Sequence, residues 1–320
     1  MSGADASLAS ADQAALAKLM ELPEIGEGDF LLKPPFADAP ELTPRADVPK
    51  GKILRFSLST AASRFYPDTG LKGSSVLERH GAVYIPSQYV PGTPAPVLVT
   101  QDSMGNGQLP TILDNMISDH RLPAIVVVMM DSGGNDGPGS ERGLEYDTVS
   151  GKFAEFIEAE VLPVLGKAFN ITFTQDPDGR ATMGGSSGGT AAFSMAWFHP
   201  ELYHRVLAYS GAFVNQQSPV NPALPLGAWE YHEHLLPQSA PRPLRVWLEV
   251  GGDDIRPNDP AETLHNWVLA NQRMAAVLRA KGYHYQFVYA VGAGHVDGRV
   301  VRQTLPRALE WLWQGYQPAK

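Results

Sequence analysis

Residues 183–190 read Met-Gly-Gly-Ser-Ser-Gly-Gly-Thr, between a stretch typical of a buried strand and one typical of a helix. A serine hydroxyl is a weak nucleophile, and enzymes that use one present it on a sharp turn from strand to helix. Glycines on both sides of the serine tolerate the unusual backbone angles and close contacts of such a turn. The octapeptide therefore predicts a reactive serine at a strand-to-helix junction.

The octapeptide fits the pattern Gly-x-Ser-x-Gly in two registers, one centred on Ser186 and the other on Ser187. We favour Ser186, because the predicted strand 180–183 then runs directly into the turn. In that register the glycines at 188 and 189 also let the helix begin close to the neighbouring strands. The alternative interpretation is a flexible glycine-rich loop without a catalytic role.

Composition restricts the classes of function. A chain of 320 residues with 43% hydrophobic content can bury a large core, and we expect one main domain. The net charge of −9 argues against nucleic acid as a partner, since binding a phosphate backbone needs a basic surface. With no cysteine, the chain has no disulfide, no thiolate metal ligand and no cysteine nucleophile. The glycine-rich run 133–137 lacks the lysine of a phosphate-binding loop, so nucleotide binding is not expected.

The compartment is predicted from two further features. The longest apolar run, residues 124–130, is too short to cross a bilayer, and no membrane association is expected. The first 20 residues lack the basic start and apolar run of a signal peptide. We expect a cytoplasmic protein as the sequence stands, or a periplasmic or secreted one if a signal peptide was removed.

Strand-like and helix-like segments alternate along most of the chain. Strands are predicted at 52–58, 82–85, 97–101, 124–130, 181–183, 206–209, 244–250 and 285–289, and helices at 109–118, 152–169, 188–198, 261–281 and 299–313. Several strands are continuously apolar, which is typical of parallel strands covered on both faces. This pattern predicts a three-layer α/β sandwich with a mostly parallel sheet and an antiparallel N-terminal edge. We expect residues 1–50 to form a helix (12–21) and an extended proline-rich arm, and residues 51–320 the catalytic domain.

Two later strands are followed by the residues that a serine nucleophile requires. Asp253 and Asp254 follow the strand 244–250, and His295 follows the strand 285–289. Serine, then an acid, then histidine is the chain order of the α/β-hydrolases. Because ligands bind at the carboxyl ends of such strands, we expect the three loops to meet in one crevice. Taken singly, either aspartate could only cap a helix and the histidine could be structural; we favour Asp254 over Asp253 as the acid.

Other polar residues fall on the loops predicted to border this crevice. The backbone N–H groups of Ser187 and Ser103 are the expected donors to an oxyanion. Arg142 and Glu145, at helical spacing, are expected to brace the loop after residue 130. His232 and His234 could suggest a metal, but residues two apart on a helix face different ways, so we expect no metal site.

Several stretches resemble the esterase D and enterochelin-esterase-like family of α/β-hydrolases. They are Val97-Leu98-Val99-Thr100-Gln101-Asp102, Leu113-Asp114-Asn115-Met116-Ile117, Arg142-Gly143-Leu144-Glu145-Tyr146-Asp147, Gly184-Gly185-Ser186-Ser187-Gly188-Gly189, His199-Pro200-Glu201-Leu202, Tyr209-Ser210-Gly211-Ala212-Phe213 and Gly292-Ala293-Gly294-His295. The family patterns Gly-x-Ser-x-Gly-Gly, Gly-x-x-Asp and Gly-His select Ser186, Asp254 and His295. Similar proteins often have Gln-Asp-Gly where this chain has Gln101-Asp102-Ser103, which places the first oxyanion donor differently.

The resemblance implies hydrolysis of a carboxylic ester without a cofactor. The family acts on siderophore trilactones, on feruloyl and acetyl esters of sugars and on S-formylglutathione, and some relatives transfer acyl groups. We therefore predict a serine esterase that forms an acyl-enzyme on a small-molecule ester, which is carbohydrate-linked, aryl or siderophore-type. Asp102, Tyr146 and Trp229 are the predicted substrate contacts, and ordinary packing is the alternative for Trp229. The alternatives for the whole chain are an acyltransferase and a binding module that has lost its activity.

Overall fold

The computed structural model describes residues 20–21, 26–67, 78–102, 104, 107–134 and 139–318. The strands are β1 (Met20–Glu21), β2 (Gly28–Leu32), β3 (Lys52–Ser59), β4 (Glu78–Ile85), β5 (Pro94–Ala95), β6 (Val97–Gln101), β7 (Val126–Met130), β8 (Thr172–Phe173), β9 (Arg180–Gly185), β10 (Arg205–Tyr209), β11 (Arg245–Gly251) and β12 (His284–Ala290). The α-helices are α1 (Leu109–Ser118), α2 (Glu141–Tyr146), α3 (Lys152–Phe156), α4 (Leu162–Phe169), α5 (Ser187–Phe198), α6 (Leu236–Gln238), α7 (Trp267–Ala280) and α8 (Gly298–Trp313). Single turns of π-helix (Ile157–Val161 and Tyr231–Leu235) and of 3₁₀-helix (Pro40–Leu42, Thr60–Ala62, Pro177–Gly179, Gly227–Trp229 and Ala261–Thr263) complete the set in these residues.

Within the described residues, ten strands form one sheet in the order β1-β2-β12-β11-β10-β9-β6-β7-β4-β3. The seven pairings from β1 to β7 are parallel. The two at the other end, β7 with β4 and β4 with β3, are antiparallel. A short parallel pair, β5 with β8, lies outside this sheet. The predicted fold class, a mostly parallel sheet with an antiparallel N-terminal edge, is confirmed.

The central strands are buried because helices cover both faces of the sheet. Every residue of β6, β7 and β10 is buried, as expected for apolar strands in a parallel sheet. One hydrophobic core lies between the sheet and helices α3, α4, α5 and α7, and a second lies between the other face and helices α1 and α8. This is the predicted three-layer arrangement.

Four neighbouring strands end at the same edge of the sheet. The last residue of β10, Tyr209, is in register with Gly185 at the end of β9 and with Glu249 near the end of β11. The last residues of β11 and β12, Gly251 and Ala290, are also in register. Loops that follow these strands therefore start side by side, and the sheet order alone brings residues from distant parts of the sequence together.

The N-terminal arm contributes to the sheet. Residues 28–32 form β2, which pairs in parallel with β12 and buries Phe30 and Leu32. We expected this segment to be part of an extended arm, because prolines on both sides of it interrupt regular elements. Most of the predicted N-terminal helix, residues 12–19, lies outside the described residues, and Met20–Glu21 form β1. The domain boundary at residue 50 stays a prediction.

In the described part of the chain, no helix is both long enough and apolar enough to cross a membrane.

Candidate active site

Ser186 lies on the turn between β9 and α5 in a strained backbone conformation. Its φ is 56° and its ψ is −130°, a combination that side-chain-bearing residues rarely adopt. Hydrogen bonds to the next strand and its loop hold this conformation: the N–H of Ser186 donates to the carbonyl of Tyr209 (3.0 Å), and its carbonyl accepts from Ala212 (3.0 Å). The turn therefore has the sharp geometry that presents a nucleophile above a sheet.

The glycines around Ser186 are required by close backbone contacts. A Cβ added at Gly184 would overlap the backbone of Gly188, one turn further along. A Cβ at Gly189 would lie 3.2 Å from both the Cβ of Ala208 and the Cα of Gly211 on the neighbouring strand and its loop. Since helix α5 can begin here only without these side chains, the glycine pattern of the octapeptide is explained by packing.

The two adjacent serines have different surroundings. Ser187 is 2% exposed, and its hydroxyl oxygen accepts a hydrogen bond from Gln216 Nε2 (2.8 Å), which also donates to Asp147 (2.7 Å). Ser186 precedes the helix, whereas Ser187 is its first residue, and the first N–H groups of a helix have no acceptor within it. This arrangement favours the register centred on Ser186, with the N–H of Ser187 available to an anion.

Asp254 and His295 form a hydrogen-bonded pair. The distance from His295 Nδ1 to Asp254 Oδ1 is 2.6 Å, and the same oxygen accepts from the N–H of Ile255 (2.6 Å). The side chain of Asp254 is fully buried and that of His295 is 28% exposed, whereas Asp253 is exposed. Of the two candidate acids, Asp254 is the one placed next to the histidine.

The loops that carry Asp254 and His295 are joined by backbone contacts. The N–H of Gly252 donates to Ala290 (2.7 Å), and that of Asp253 donates to Ala293 (2.8 Å). Trp267, at the start of α7, packs against the imidazole edge-to-face with ring centroids 6.1 Å apart. Because Nδ1 of His295 faces Asp254, Nε2 is left for another partner.

The loop after β6 holds the predicted oxyanion donor and one predicted substrate contact. Ser103 lies outside the described residues. Its neighbour Asp102 has a φ of 53°, and its carboxylate binds Arg142 Nη2 at 2.7 Å. Arg142 therefore fixes the start of this loop, rather than joining Glu145 on its own helix.

Glu145 braces the loop after β7, but through a different arginine from the one expected. Its carboxylate pairs with Arg79 Nη2 (2.5 Å) and accepts from the N–H of Gly133 (3.0 Å). Both charged side chains are almost fully buried. Arg79 was not predicted as the partner, because it lies on β4 far from Glu145 in sequence and, between Glu78 and His80, outside the predicted strand 82–85.

The two predicted aromatic substrate contacts are buried. Trp229 is 1% exposed and packs edge-to-face against His232 at 4.5 Å. Tyr146 is fully buried in the core that includes Phe153. This burial favours the packing alternative for Trp229 and places Tyr146 behind the crevice, where its hydroxyl accepts a long hydrogen bond from the N–H of Asp102 (3.4 Å).

Two buried titratable groups, Glu249 and His232, have shifted pKa values. Burial raises the pKa of Glu249 well above its usual range, and the carboxylates of Asp254 and Asp297 add to the rise. Burial lowers the pKa of His232 to about 3, and its Nε2 faces the carbonyl of Phe213 at 3.1 Å. Neutral at physiological pH, His232 serves in packing; the described residues contain no cluster of three metal-ligating side chains.

Solved structures of similar architecture include ester hydrolases. Enterochelin esterase from Shigella flexneri has 23% identity and a TM-score of 0.60, with 85% of this chain and 60% of that chain aligned. A ferulic acid esterase from Anaeromyces mucronatus has 13% identity and a TM-score of 0.62, with 85% and 94% aligned. The feruloyl esterase module from Clostridium thermocellum has 15% identity and a TM-score of 0.59, with 94% and 99% aligned. At these identities the likeness establishes the fold, and this chain spans only 60% of the length of the Shigella enzyme.

The fold of this chain is that of the esterase structures with which it aligns. The chain belongs to the Esterase family, whose model, described as "Putative esterase", matches residues 76–312. The predicted relationship to the enterochelin-esterase-like proteins is confirmed. A search among curated proteins gave no significant match.

Proposed function

We propose that the protein is a serine esterase in which Ser186 is the nucleophile, His295 the general base and Asp254 the residue that orients the imidazole. The observation that carries this proposal is the buried 2.6 Å contact between Asp254 and His295 at the sheet edge where the strained Ser186 lies. Asp254 accepts from Nδ1–H, so Nε2 is the nitrogen that takes a proton. The carboxylate of Asp254 also stabilises the imidazolium that forms when His295 takes the proton.

The proposed reaction has two steps. Ser186 Oγ attacks the carbonyl carbon of the ester while its proton passes to His295, and the resulting tetrahedral intermediate expels the alcohol, which takes that proton. Water, deprotonated by His295, then attacks the acyl-enzyme and releases the acid. The oxyanion in both steps accepts from the N–H groups of Ser187 and Ser103, and the positive end of the α5 dipole lies at the same place.

For the substrate we propose a small carboxylic ester of the aryl, carbohydrate-linked or siderophore type. A ferulic acid esterase of related fold was solved in complex with ferulic acid, and an enterobactin esterase in the presence of 2,3-dihydroxy-N-benzoyl-serine. Both compounds contain an aromatic acid group. The net charge of −9 favours a neutral or carbohydrate-linked ester over a ferric siderophore, because a polyanion is repelled by the overall field. A panel of feruloyl sugars, acetylated sugars, short acyl esters and a trilactone separates these classes.

The nucleophile is tested by replacing each of the two serines. Ser186→Ala is expected to reduce kcat on a short p-nitrophenyl ester by about 10⁶-fold and to prevent labelling by a fluorophosphonate, with the melting temperature retained. Ser187→Ala removes only a hydroxyl that binds Gln216 and is expected to keep most of the activity.

The opposite pattern, activity lost in Ser187→Ala and kept in Ser186→Ala, would show that the other register is used. A protein that neither turns over any ester of the panel nor reacts with the fluorophosphonate is an inactive binding module.

A further inference from the structure

The residue after His295 is held in a strained conformation. Val296 has a φ of 44°, in the left-handed region that β-branched side chains almost never occupy. Its side chain packs over the nucleophile turn: a Cβ added at Gly185 would lie 3.1 Å from Val296 Cγ1. A conformation of this cost persists only where surrounding contacts enforce it.

The contact that enforces it comes from Ser210. The N–H of Val296 donates to Ser210 Oγ at 2.9 Å. Ser210 is fully buried and directly follows β10, in the stretch Tyr209–Phe213 that resembles the family but to which the proposed mechanism gives no role. Because the bond fixes the backbone immediately after His295, it acts on the direction of the imidazole ring.

Ser210 is itself fixed from the opposite side. Its φ is 47°, and its N–H donates to the carbonyl of Glu249 on β11 at 2.7 Å. A continuous set of hydrogen bonds therefore runs from β11 through Ser210 to Val296, and the strand that ends near Asp254 is also the one that supports the histidine loop. Ser210 and Val296, both with a positive φ, are thus joined by this bond beside the turn that carries Ser186.

We propose that Ser210 is a positioning residue of the esterase: its hydroxyl oxygen holds the strained Val296 backbone so that the His295 ring faces Ser186. Ser210 does not touch the substrate and exchanges no proton with it. The inference rests on the proposed function, since it assigns a role to the histidine loop. A displacement of about 1 Å at a reacting group is enough to lower a rate by about 10²-fold.

The test is Ser210→Ala, compared with Ser194→Ala. Ser194 is a matched control, because it is also buried (2% exposed) and its hydroxyl also makes a single short side-chain bond, to Tyr231 (2.6 Å), in the core. Ser210→Ala is expected to lower kcat by about 10- to 100-fold with KM unchanged, and to slow fluorophosphonate labelling similarly. Ser194→Ala is expected to change the melting temperature but not kcat.

A second variant removes the strain that the bond is proposed to hold. Val296→Gly keeps the N–H that donates to Ser210 Oγ, and glycine adopts a positive φ without steric cost. If Ser210 acts by holding the strained backbone, Ser210→Ala is expected to lower kcat by a smaller factor in the Val296→Gly background than in the wild type, which is the coupling of two residues that act on one conformation.

The proposal is overturned if Ser210→Ala keeps wild-type kcat, if its loss is matched by Ser194→Ala, or if it costs as much in the Val296→Gly background as in the wild type. These outcomes differ from failure of the proposed function, because Ser186→Ala tests that independently. If Ser210→Ala does not fold, Ser210→Cys replaces the oxygen by sulfur, a weak acceptor: a lower kcat at constant KM supports the inference, and wild-type kcat overturns it.

Discussion

The surroundings of single residues distinguish candidates that are nearly equivalent in the sequence. Asp253 and Asp254 are neighbours after the same strand, and either could follow the pattern of a strand-end acid. The turn after Gly251 buries Asp254 against His295 and leaves Asp253 in solvent. Ser186 and Ser187 also differ in their surroundings, since the hydroxyl of Ser187 is bound to Gln216.

The roles of Asp253 and Asp254 can be distinguished by replacing each of them with asparagine. Asp254→Asn is expected to lower kcat by about 10⁴-fold, because an amide presents the wrong group to Nδ1 and favours the wrong tautomer of His295. Asp253→Asn, the matched control at an exposed position, is expected to leave kcat within about threefold, as surface changes usually have small effects. Equal losses in the two variants contradict the assignment of Asp254.

His232 predicts an acid sensitivity at the residue scale. Its pKa is lowered to about 3 in the folded protein against about 6.5 in the unfolded chain. Between these values the unfolded state binds the extra proton, so the free energy of unfolding falls as the pH is lowered below about 6.5, by up to about 1.4 kcal/mol per pH unit.

His232→Gln keeps an N–H donor for Phe213 but does not titrate. We expect its free energy of unfolding, measured by urea denaturation between pH 4 and 7, to depend less on pH than that of the wild type. His80→Gln, at an exposed position, is the control and should keep the wild-type slope. Unchanged slope in His232→Gln contradicts the burial argument.

At the scale of elements, the turn from β9 to α5 is fixed by backbone packing. A Cβ at residue 184 would overlap the backbone of Gly188 across the turn, and one at residue 188 would lie 3.0 Å from the Cβ of Gln101. The sequence predicted this element with its ends within one or two residues, because the glycine pattern and the adjoining apolar runs are local signals. The same local signals predicted both ends of α1 correctly, and they predicted the ends of most strands to within two residues of the observed ones.

The turn can be tested with a single methyl group. Gly184→Ala places a Cβ on the backbone of Gly188, which no side-chain rotation can relieve, so we expect the free energy of unfolding to fall by about 1–3 kcal/mol and activity to be largely lost. Gly298→Ala, at the first residue of α8 with nothing within 4 Å of the added Cβ, is the control and should be neutral or slightly stabilising. A fully active and stable Gly184→Ala is incompatible with the described turn.

At the scale of the whole molecule, the sheet order brings acidic side chains together at one edge of the sheet. Glu249 on β11 is fully buried close to Asp254 and Asp297, in a protein of net charge −9. Burial raises the pKa of Glu249 well above its usual range, so the folded protein holds a proton that the unfolded chain releases above about pH 4.5. Since the folded state then binds more protons, the free energy of unfolding falls as the pH rises.

Glu249→Gln keeps the shape of the side chain and removes the titration. We expect the variant to gain stability relative to the wild type as the pH is raised from 5 to 9, by up to about 1.4 kcal/mol per pH unit while Glu249 stays protonated in the fold. Guanidinium unfolding at a series of pH values measures this, with the exposed Glu262→Gln as control. Parallel curves for wild type and Glu249→Gln would exclude a buried neutral acid at this position.

Four features could be predicted from local sequence alone. They are the alternation of strands and helices, the burial of the central strands, the serine turn, and the order of serine, acid and histidine along the chain. Each of these depends on residues within a few positions of one another, so periodicity and glycine spacing reveal it. Strand β2 was not predicted, because its segment is short and its burial comes from pairing with β12.

Which side chains lie in contact depends on the tertiary structure and could not be predicted from the sequence. Asp254 and His295 are 41 residues apart, and Arg79 and Glu145 are 66 apart, and their proximity follows from the sheet order, which no local pattern specifies. For the same reason Trp229 and Tyr146 were expected at the crevice but are buried in the core. The strained contact between Ser210 and Val296 depends on three strands lying side by side, a property of the folded sheet and not of any one segment.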